Sequence, residues 1–525
     1  MTDATLPTTI PGVLDRAARE FTGVEALVDE RSRLGFGELR DAARQVAGAL
    51  VATGVEKGDR VAIWAPNTTE WVVAALGVYC AGAVIVPLNT RFKGREAAYV
   101  LDRAGARLLF TVTDFLDTDY VALLAGADPV PSLGTTVVLR GTVPAGALGW
   151  DEFLARAGDV PAAEVDARVG ALGGDDLSDV MFTSGTTGLP KGAMLTHGAS
   201  VRAYDAWSTV VGLRRGDRYL CVNPFFHGFG LKAGILASLI KGATIVPHGV
   251  FDVDAVMRRV VEERITMLPG PPTVYQSILD HPRASEFDLS TLRLGVTGAA
   301  SVPVELIRRI RSELRFDTIV TGYGLTEATG IATMCRHDDD PEIIATTAGR
   351  AIPGVEVLVV DDEGKEVPRG EPGEVVVRGY NVMRGYLDDP EATAEAIDAQ
   401  GWLHTGDIGV MDDAGNLRIT DRKKDMFIVG GFNAYPAEIE NIISAHPAVS
   451  QVAVVGIPDR RMGEVGCAFV VLRPGKQLDA DGLIAWCREN MANYKVPRRV
   501  EIVDALPVNA AGKVVKYELR ARVTT

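Results

Sequence analysis

Short apolar runs that alternate with helical stretches constrain the fold of this chain more than any other feature of its sequence. Val61-Ala62-Ile63-Trp64 and Ala83-Val84-Ile85-Val86-Pro87 are continuously apolar and too short for helices. Elsewhere, as across residues 36–54, apolar residues recur at helical spacing. Alternation of this kind predicts an α/β domain built on a parallel sheet. A chain of 525 residues can bury a large core and is long enough for two or more domains.

The texture changes along the chain. Residues 125–173 are rich in Ala, Gly, Pro and Val with weak periodicity, which reads as loops and short helices leading into the next strand. From residue 354 onward, short alternating segments at 355–361, 373–378 and 416–420 predict a small β subdomain. The last hundred residues read as helix, strand, strand, helix, strand over 436–445, 452–456, 464–472, 479–491 and 499–503. The expected fold is an α/β large N-terminal domain with a β subdomain, plus a small α+β C-terminal domain, divided as 1–423 and 424–525.

The chain carries 54 Lys and Arg against 69 Asp and Glu, a formal net charge of −15. That sign argues against nucleic acid or an anionic membrane as main partner, although local basic patches can still hold an anionic ligand. Five cysteines, at 80, 221, 335, 467 and 487, show no CxxC or CxxH spacing. A zinc site or disulfide framework is therefore not expected, and a reduced cytoplasmic setting is. The start, MTDATLPTTIPGVL, lacks the basic and apolar regions of a secretory leader. Apolar stretches break well short of about 18 residues, so no membrane span is expected. A small-molecule partner is expected, and a homo-oligomer is left open.

Chemistry enters with residues 183–192, TSGTTGLPKG, which follow the apolar run Asp179-Val180-Met181-Phe182 and precede a helical stretch from about His197 to Val211. Glycines let the backbone approach a ligand closely. The hydroxyls of Thr183, Ser184, Thr186 and Thr187 and exposed backbone N–H groups supply donors, and Lys191 a mobile positive charge. This is the equipment of a polyphosphate cradle. It is not a Walker A loop, because Lys191 is preceded by Pro190 and followed by Gly192.

The string resembles the phosphate loop of the adenylate-forming, AMP-binding superfamily of acyl-CoA synthetases, luciferases and peptide-synthetase adenylation domains. Further segments carry the same resemblance. By it, Thr183, Ser184, Gly185, Thr186, Thr187 and Lys191 hold ATP phosphates. Residues 221–230, CVNPFFHGFG, suit the wall of a concave apolar site and resemble the segment over the acyl pocket. That likeness makes His227 a gate beside the activated carboxyl group, with Phe229, Lys232 and Gly270 lining the acyl pocket. Strand ends near 266–270 and 294–300 finish in small residues, which places Gly298 and Ala299 beside the nucleotide. In residues 321–328, TGYGLTEA, Tyr323 offers a face to adenine, Gly324 lies beside it, Thr326 offers a hydroxyl to the α-phosphate and Glu327 a hard oxygen to magnesium. GWLHTGD at 401–407 supplies Asp407 for the ribose hydroxyls, and DRKKD at 421–425 supplies Arg422 for the ribose and Lys424 as the interdomain hinge. Gly430 and Gly431 resemble the face that lines the pantetheine path. LPVNAAGKV at 506–514 resembles the terminal motif whose lysine, here Lys513, is catalytic.

The resemblance implies a reaction in two halves that uses ATP, Mg2+ and coenzyme A: a carboxylic acid becomes an acyl-adenylate with release of pyrophosphate, then a thioester with release of AMP. It also implies rotation of the small domain, which delivers Lys513 for the first half and withdraws it for the second. Residues 223–234 (NPFFHGFGLKAG), 268–281 (LPGPPTVYQSILDH) and 333–336 (TMCR) resemble those of ligases for a steroid-derived bicyclic propanoate. A medium-chain or aryl acid is the alternative, and a second is acylation of a separate carrier protein. Lys232 bears on this choice. An ammonium facing a plain alkyl chain is costly, whereas a ring carbonyl would accept its hydrogen bond; the other reading pairs Lys232 with an acidic neighbour or turns it outward.

Overall fold

In the computed structural model of the chain, the described residues are 6–183, 190–297, 302, 304–422, 425, 427–429, 432–459, 462–491, 493–508 and 514–523. They form two compact units, Met1–Val357 with Val377–Leu403, and Leu358–Val376 with His404–Thr525.

The first unit is built on three sheets. The largest runs in the order Gly385–Tyr386, Lys191–Thr196, Leu177–Thr183, Val84–Pro87, Arg60–Trp64, Leu108–Val112, Thr135–Arg140 and Leu148–Gly149. From Leu177–Thr183 to Leu148–Gly149 every pairing is parallel, as the alternation predicts, while the two strands on the other side pair antiparallel. A second sheet joins Arg218–Cys221, Thr244–Pro247, Glu25–Val28 and Arg33–Gly35. The third joins Leu294–Thr297 in parallel to Thr318–Tyr323, then Thr333–Met334 and Arg350–Ala351 antiparallel.

The helix Thr69–Cys80 shows how sequence becomes packing. Thr68 caps it by accepting from the Trp71 N–H, and every residue except Glu70 is buried. A helix that is apolar all round must be enclosed, and this one carries Tyr79 into the interior behind the large sheet. The helix His197–Val211 begins where the sequence placed it, capped by Thr196. The strand Lys191–Thr196 ahead of it was not expected. Its Lys-Gly-Ala-Met start has no strand pattern of its own, and it is a strand because it pairs with Leu177–Thr183 in the register Thr183↔Lys191.

The sheet Val355–Val360, Pro372–Gly379, Leu403–Met411 and Leu417–Arg422 gives the β subdomain, and most of its residues, from Leu358 to Val376 and from His404 on, fall in the second unit. A five-stranded sheet follows, Phe432–Ala434, Phe427–Val429, Gly463–Leu472 and Val449–Asp459, with Arg499–Ile502 parallel to Gly463–Leu472. Alternation along its long strands makes two cores. Val454, Ala468 and Val470 pack with Ile439, Ile443, Leu483 and Cys487 on one face; Ala453, Val455, Cys467 and Phe469 pack with Leu519 on the other. The second face needs the helix Lys516–Val523, which the sequence reading did not include. By compactness the β subdomain goes with the C-terminal unit, whereas the expected division at 423 follows the hinge motif; Lys424 itself lies outside the described residues. All five cysteines are free and buried. No helix among the described residues is long and apolar enough to cross a membrane.

Candidate active site

The hairpin formed by Leu177–Thr183 and Lys191–Thr196 brings Thr183 and Lys191 opposite each other at the end where the connecting segment begins. Ser184, Gly185, Thr186 and Thr187 lie outside the described residues. The hydroxyl of Tyr99 donates to the Pro190 carbonyl at 3.2 Å and steadies the return strand. Glu327 meets the hairpin from the short 3-10 turn Thr326–Ala328, which follows Thr318–Tyr323. Its Oε1 accepts from the Thr183 hydroxyl at 3.2 Å and from the Tyr386 hydroxyl at 2.9 Å. Lys191 Nζ stands 5.4 Å from the centre of the Tyr386 ring. The fold thus brings Thr183, Lys191 and Glu327 together around Tyr386, a residue the sequence reading missed. Burial and the Glu327 charge both push the Tyr386 phenol up, so it stays protonated and acts as a donor. Its only sequence signal was an aromatic in the polar run RGYLDDPE.

Backbone contacts fix the Glu327 turn. Met383 N–H donates to the Glu327 carbonyl at 2.7 Å, the Thr329 hydroxyl to Asn381 O at 2.6 Å, and Asn381 Nδ2 to Ile331 O at 2.8 Å. Gly324 is required here, because a Cβ would stand 2.4 Å from the Gly330 carbonyl oxygen. Tyr323 closes its strand opposite Thr333 and is half-buried, as is Thr326.

The segment expected to wall the acyl pocket begins where Arg218–Cys221 ends. Asn67 clamps the bend: its Nδ2 donates to Cys221 O and Asn223 O, each at 2.9 Å, and its Oδ1 accepts from Phe225 N–H at 2.8 Å. Beyond it, Phe229–Leu236 winds as a π-helix, a form that recurs at functional sites. His227 is exposed and its Nδ1 accepts from Phe229 N–H at 3.2 Å, which leaves the ring proton of the neutral form on Nε2. Phe229 sets its ring edge to face with Trp207, and Gly270 is buried with its N–H donating to Val296 O at 3.0 Å. Gly298 and Ala299 lie outside the described residues.

Lys232 corrects an expectation. Its side chain is 1% exposed and its ammonium pairs with Asp179, itself 0% exposed, on the strand Leu177–Thr183. Tyr79 donates to the other oxygen of Asp179 at 2.6 Å, and the Ser178 hydroxyl adds a third donor. Burial pulls the Lys232 pKa down, and the Asp179 charge opposes that pull. The cavity beside it, lined by Tyr79, Leu231 and Ile235 among others, is about 10 Å³, enough for a water and far too small for an acyl ring. The acidic neighbour won because Asp179 is buried mid-strand and needs a counter-ion, which the sequence did not reveal.

In the second unit, Asp407 is buried on Leu403–Met411, paired in register with Arg422. Thr405 shapes the turn, its hydroxyl donating to Val375 O at 2.7 Å and accepting from Asp407 N–H at 3.1 Å. Nothing is described of the Arg422 side chain, and Lys424, Gly430, Gly431 and Lys513 lie outside the described residues. Val508 and Val514 pair across the segment that holds Lys513.

Among the described residues, no group of three or more His, Cys, Asp or Glu side chains could cage a metal. Among the described residues, the hydrogen bonds to the Glu327 carboxylate, from Thr183 and Tyr386, fall on Oε1. A single carboxylate beside a Thr hydroxyl is a hard oxygen donor of the kind that fits magnesium, which binds through one or two carboxylates together with substrate phosphates and water. It does not fit a resident transition metal.

A hairpin that sets Thr183 and Lys191 beside Glu327, on a large α/β unit accompanied by a separate α+β unit, is the arrangement that likeness to known proteins assigns to a class. The description "AMP-binding enzyme" matches residues 14–387, and "AMP-binding enzyme C-terminal domain" matches residues 438–513. The chain belongs to the AMP-binding enzyme family. It is an acid–thiol ligase, an acyl-CoA synthetase that uses ATP and coenzyme A. It is 52% identical over 519 residues, 98% of each chain, to the 3-[(3aS,4S,7aS)-7a-methyl-1,5-dioxo-octahydro-1H-inden-4-yl]propanoyl:CoA ligase of Rhodococcus jostii (strain RHA1). It is 53% identical over 513 residues, again 98% of each, to the ligase of the same name from Mycobacterium tuberculosis (strain ATCC 25618 / H37Rv). Among solved structures it is similar to an anthranilate CoA ligase in complex with anthranoyl-AMP, with a TM-score of 0.86, 30% identity and coverage of 100% of this chain and 98% of that one.

Proposed function

We propose that this ligase acts on a compact bicyclic keto acid with a propanoate arm, with magnesium accompanying ATP, in the cytoplasm. The observation that carries the substrate is the identity of 52% and 53%, along nearly the whole chain, to two ligases named for such an acid. Five buried free thiols favour a reducing compartment.

In the first half, a carboxylate oxygen attacks the α-phosphorus of ATP, the bond from that phosphorus to the bridging oxygen breaks, and pyrophosphate leaves with the electron pair. Lys191 offsets the negative charge that builds on the phosphates, and Thr183 presents a hydroxyl at the mouth of the loop. Glu327 would hold magnesium, with Thr183 and Tyr386 orienting its carboxylate through Oε1. The metal supplies charge neutralisation on phosphate oxygens when bound. Asp407 and Arg422 would take the ribose, and Lys513 would act in adenylation. In the second half the coenzyme A sulfur attacks the acyl carbon and AMP departs; Gly430 and Gly431 would line that approach once the small domain turns about Lys424. His227 and Phe229 would stand beside the acyl group.

The test is the ratio of kcat/KM for the indanedione propanoate over that for octanoate, read by AMP formation that depends on coenzyme A. We expect a ratio of at least about tenfold, the scale on which a pocket shaped for one acyl group discriminates against another. A higher efficiency with octanoate would overturn the substrate reading and leave the ligase class intact.

A further inference from the structure

The strand Leu177–Thr183 presents Asp179, Met181 and Thr183 on one face, because side chains alternate along a strand. Each touches a different part of the site. Asp179 takes the ammonium of Lys232, and Met181 Sδ lies 3.9 Å from where a Cβ on Gly228 would stand. Thr183 donates to Glu327 at 3.2 Å. Gly228 and Lys232 belong to the wall that follows His227, so one strand face carries the acyl wall at one end and the Glu327 carboxylate at the other.

The link at Asp179 is an enclosed network. Lys232 is 1% and Asp179 0% exposed, Tyr79 donates to Asp179 at 2.6 Å, and Lys232 Nζ stands 5.8 Å from the Tyr79 ring centre. Such a pair is a poor source of stability, since well-packed apolar side chains of the same volume often replace it without loss. What it supplies instead is direction and length: a charge-assisted hydrogen bond holds its two backbones at one spacing, where apolar side chains can slide.

We infer that Lys232 is a positioning residue for adenylation: through Asp179 it holds the acyl wall in register with the strand that carries Thr183 to the phosphate loop. The inference rests on the two-step reading above. In the first half, the carboxylate and ATP are separate molecules held by separate pieces of protein, and a misplacement of about 1 Å can cost roughly 10²-fold. In the second half, acyl group and AMP are already joined by a covalent bond, which itself sets their register. Loss of the strut therefore slows the first half and spares the second.

Lys232→Met combined with Asp179→Asn removes both charges, keeps the side-chain volumes and leaves an acceptor for Tyr79 and Ser178. We expect kcat for pyrophosphate release to fall at least about tenfold. The KM for ATP, and the rate at which supplied acyl-adenylate and coenzyme A give thioester, should stay within about threefold of the parent. Tyr79→Phe, which removes only the hydroxyl on the other oxygen of Asp179, should show the same split at about threefold, and it decides the matter if the double variant does not fold. Equal slowing of both halves, a rise in ATP KM at constant kcat, or an unchanged first half would overturn the inference. Failure of the parent enzyme to release pyrophosphate with any acid would instead overturn the reading it rests on.

Discussion

Glu327 is held by two hydroxyls on one oxygen, and that asymmetry gives Tyr386 a measurable role. Tyr386→Phe keeps the ring against Lys191 and removes the bond to the carboxylate. A hydrogen bond to a charged group contributes about 1.5–3 kcal/mol, so the magnesium concentration for half-maximal pyrophosphate release should rise about tenfold or more. An unchanged magnesium titration would take the phenol out of the site. His197 gives a second prediction. The ring is buried, its Nδ1 accepts from Ile10 N–H at 3.4 Å, and burial holds its pKa down to about 4. The unfolded ring takes a proton near its ordinary value of about 6.5. Between the two values the unfolded chain binds more protons, so stability from this residue is full above pH 6.5 and drains as pH falls to about 4, by on the order of 3 kcal/mol. Urea midpoints at pH 7 and pH 4.5 should differ less in His197→Asn than in the parent.

The π-helix Phe229–Leu236 can form where it does because Gly230 lets it lie against the preceding bend. A Cβ at Gly230 would stand 2.1 Å from the Pro224 carbonyl oxygen and 2.7 Å from that of Asn223, backbone atoms that Asn67 pins and that cannot turn aside. Gly230→Ala should therefore lower Tm and raise the KM for the acid more than that for ATP. At Gly228, among the described residues, a Cβ meets only Met181 Sδ at 3.9 Å, an ordinary contact, so Gly228→Ala should keep a Tm near the parental value. Similar losses in both variants would show that the wall is not held at this bend. Neither the π-turn nor the strand Lys191–Thr196 was legible in the sequence. Each takes its form from a neighbour, one from the clamped bend at 221–225 and the other from the strand beside it.

At the scale of the molecule, the chain divides into two compact units, and the segment that holds Lys513 belongs to the second. The role that resemblance gives Lys513 predicts that Lys513→Ala fails to form acyl-adenylate, with a fall in pyrophosphate release of ~10² or more, an electrostatic contribution of the size expected for a charge aimed at a transition state. The same variant should still convert supplied acyl-adenylate to thioester near the parental rate. Equal loss of both halves would remove the division of labour between the units.

The sequence by itself determined the family, the order of its motifs and the alternating framework. Those properties rest on local strings: the loop at 183–192, TGYGLTEA, and apolar runs whose period is set by backbone geometry. The fate of Lys232 was decided only by the tertiary structure. Whether a lysine meets substrate, solvent or a buried carboxylate depends on what the chain brings beside it, and Asp179 lies 53 positions away. Tyr386 is alike: it reaches Glu327 across 59 positions, and no period or propensity records that meeting. Local physics writes the elements; which charges end up enclosed together is settled when the elements pack, because only then does desolvation choose the partners.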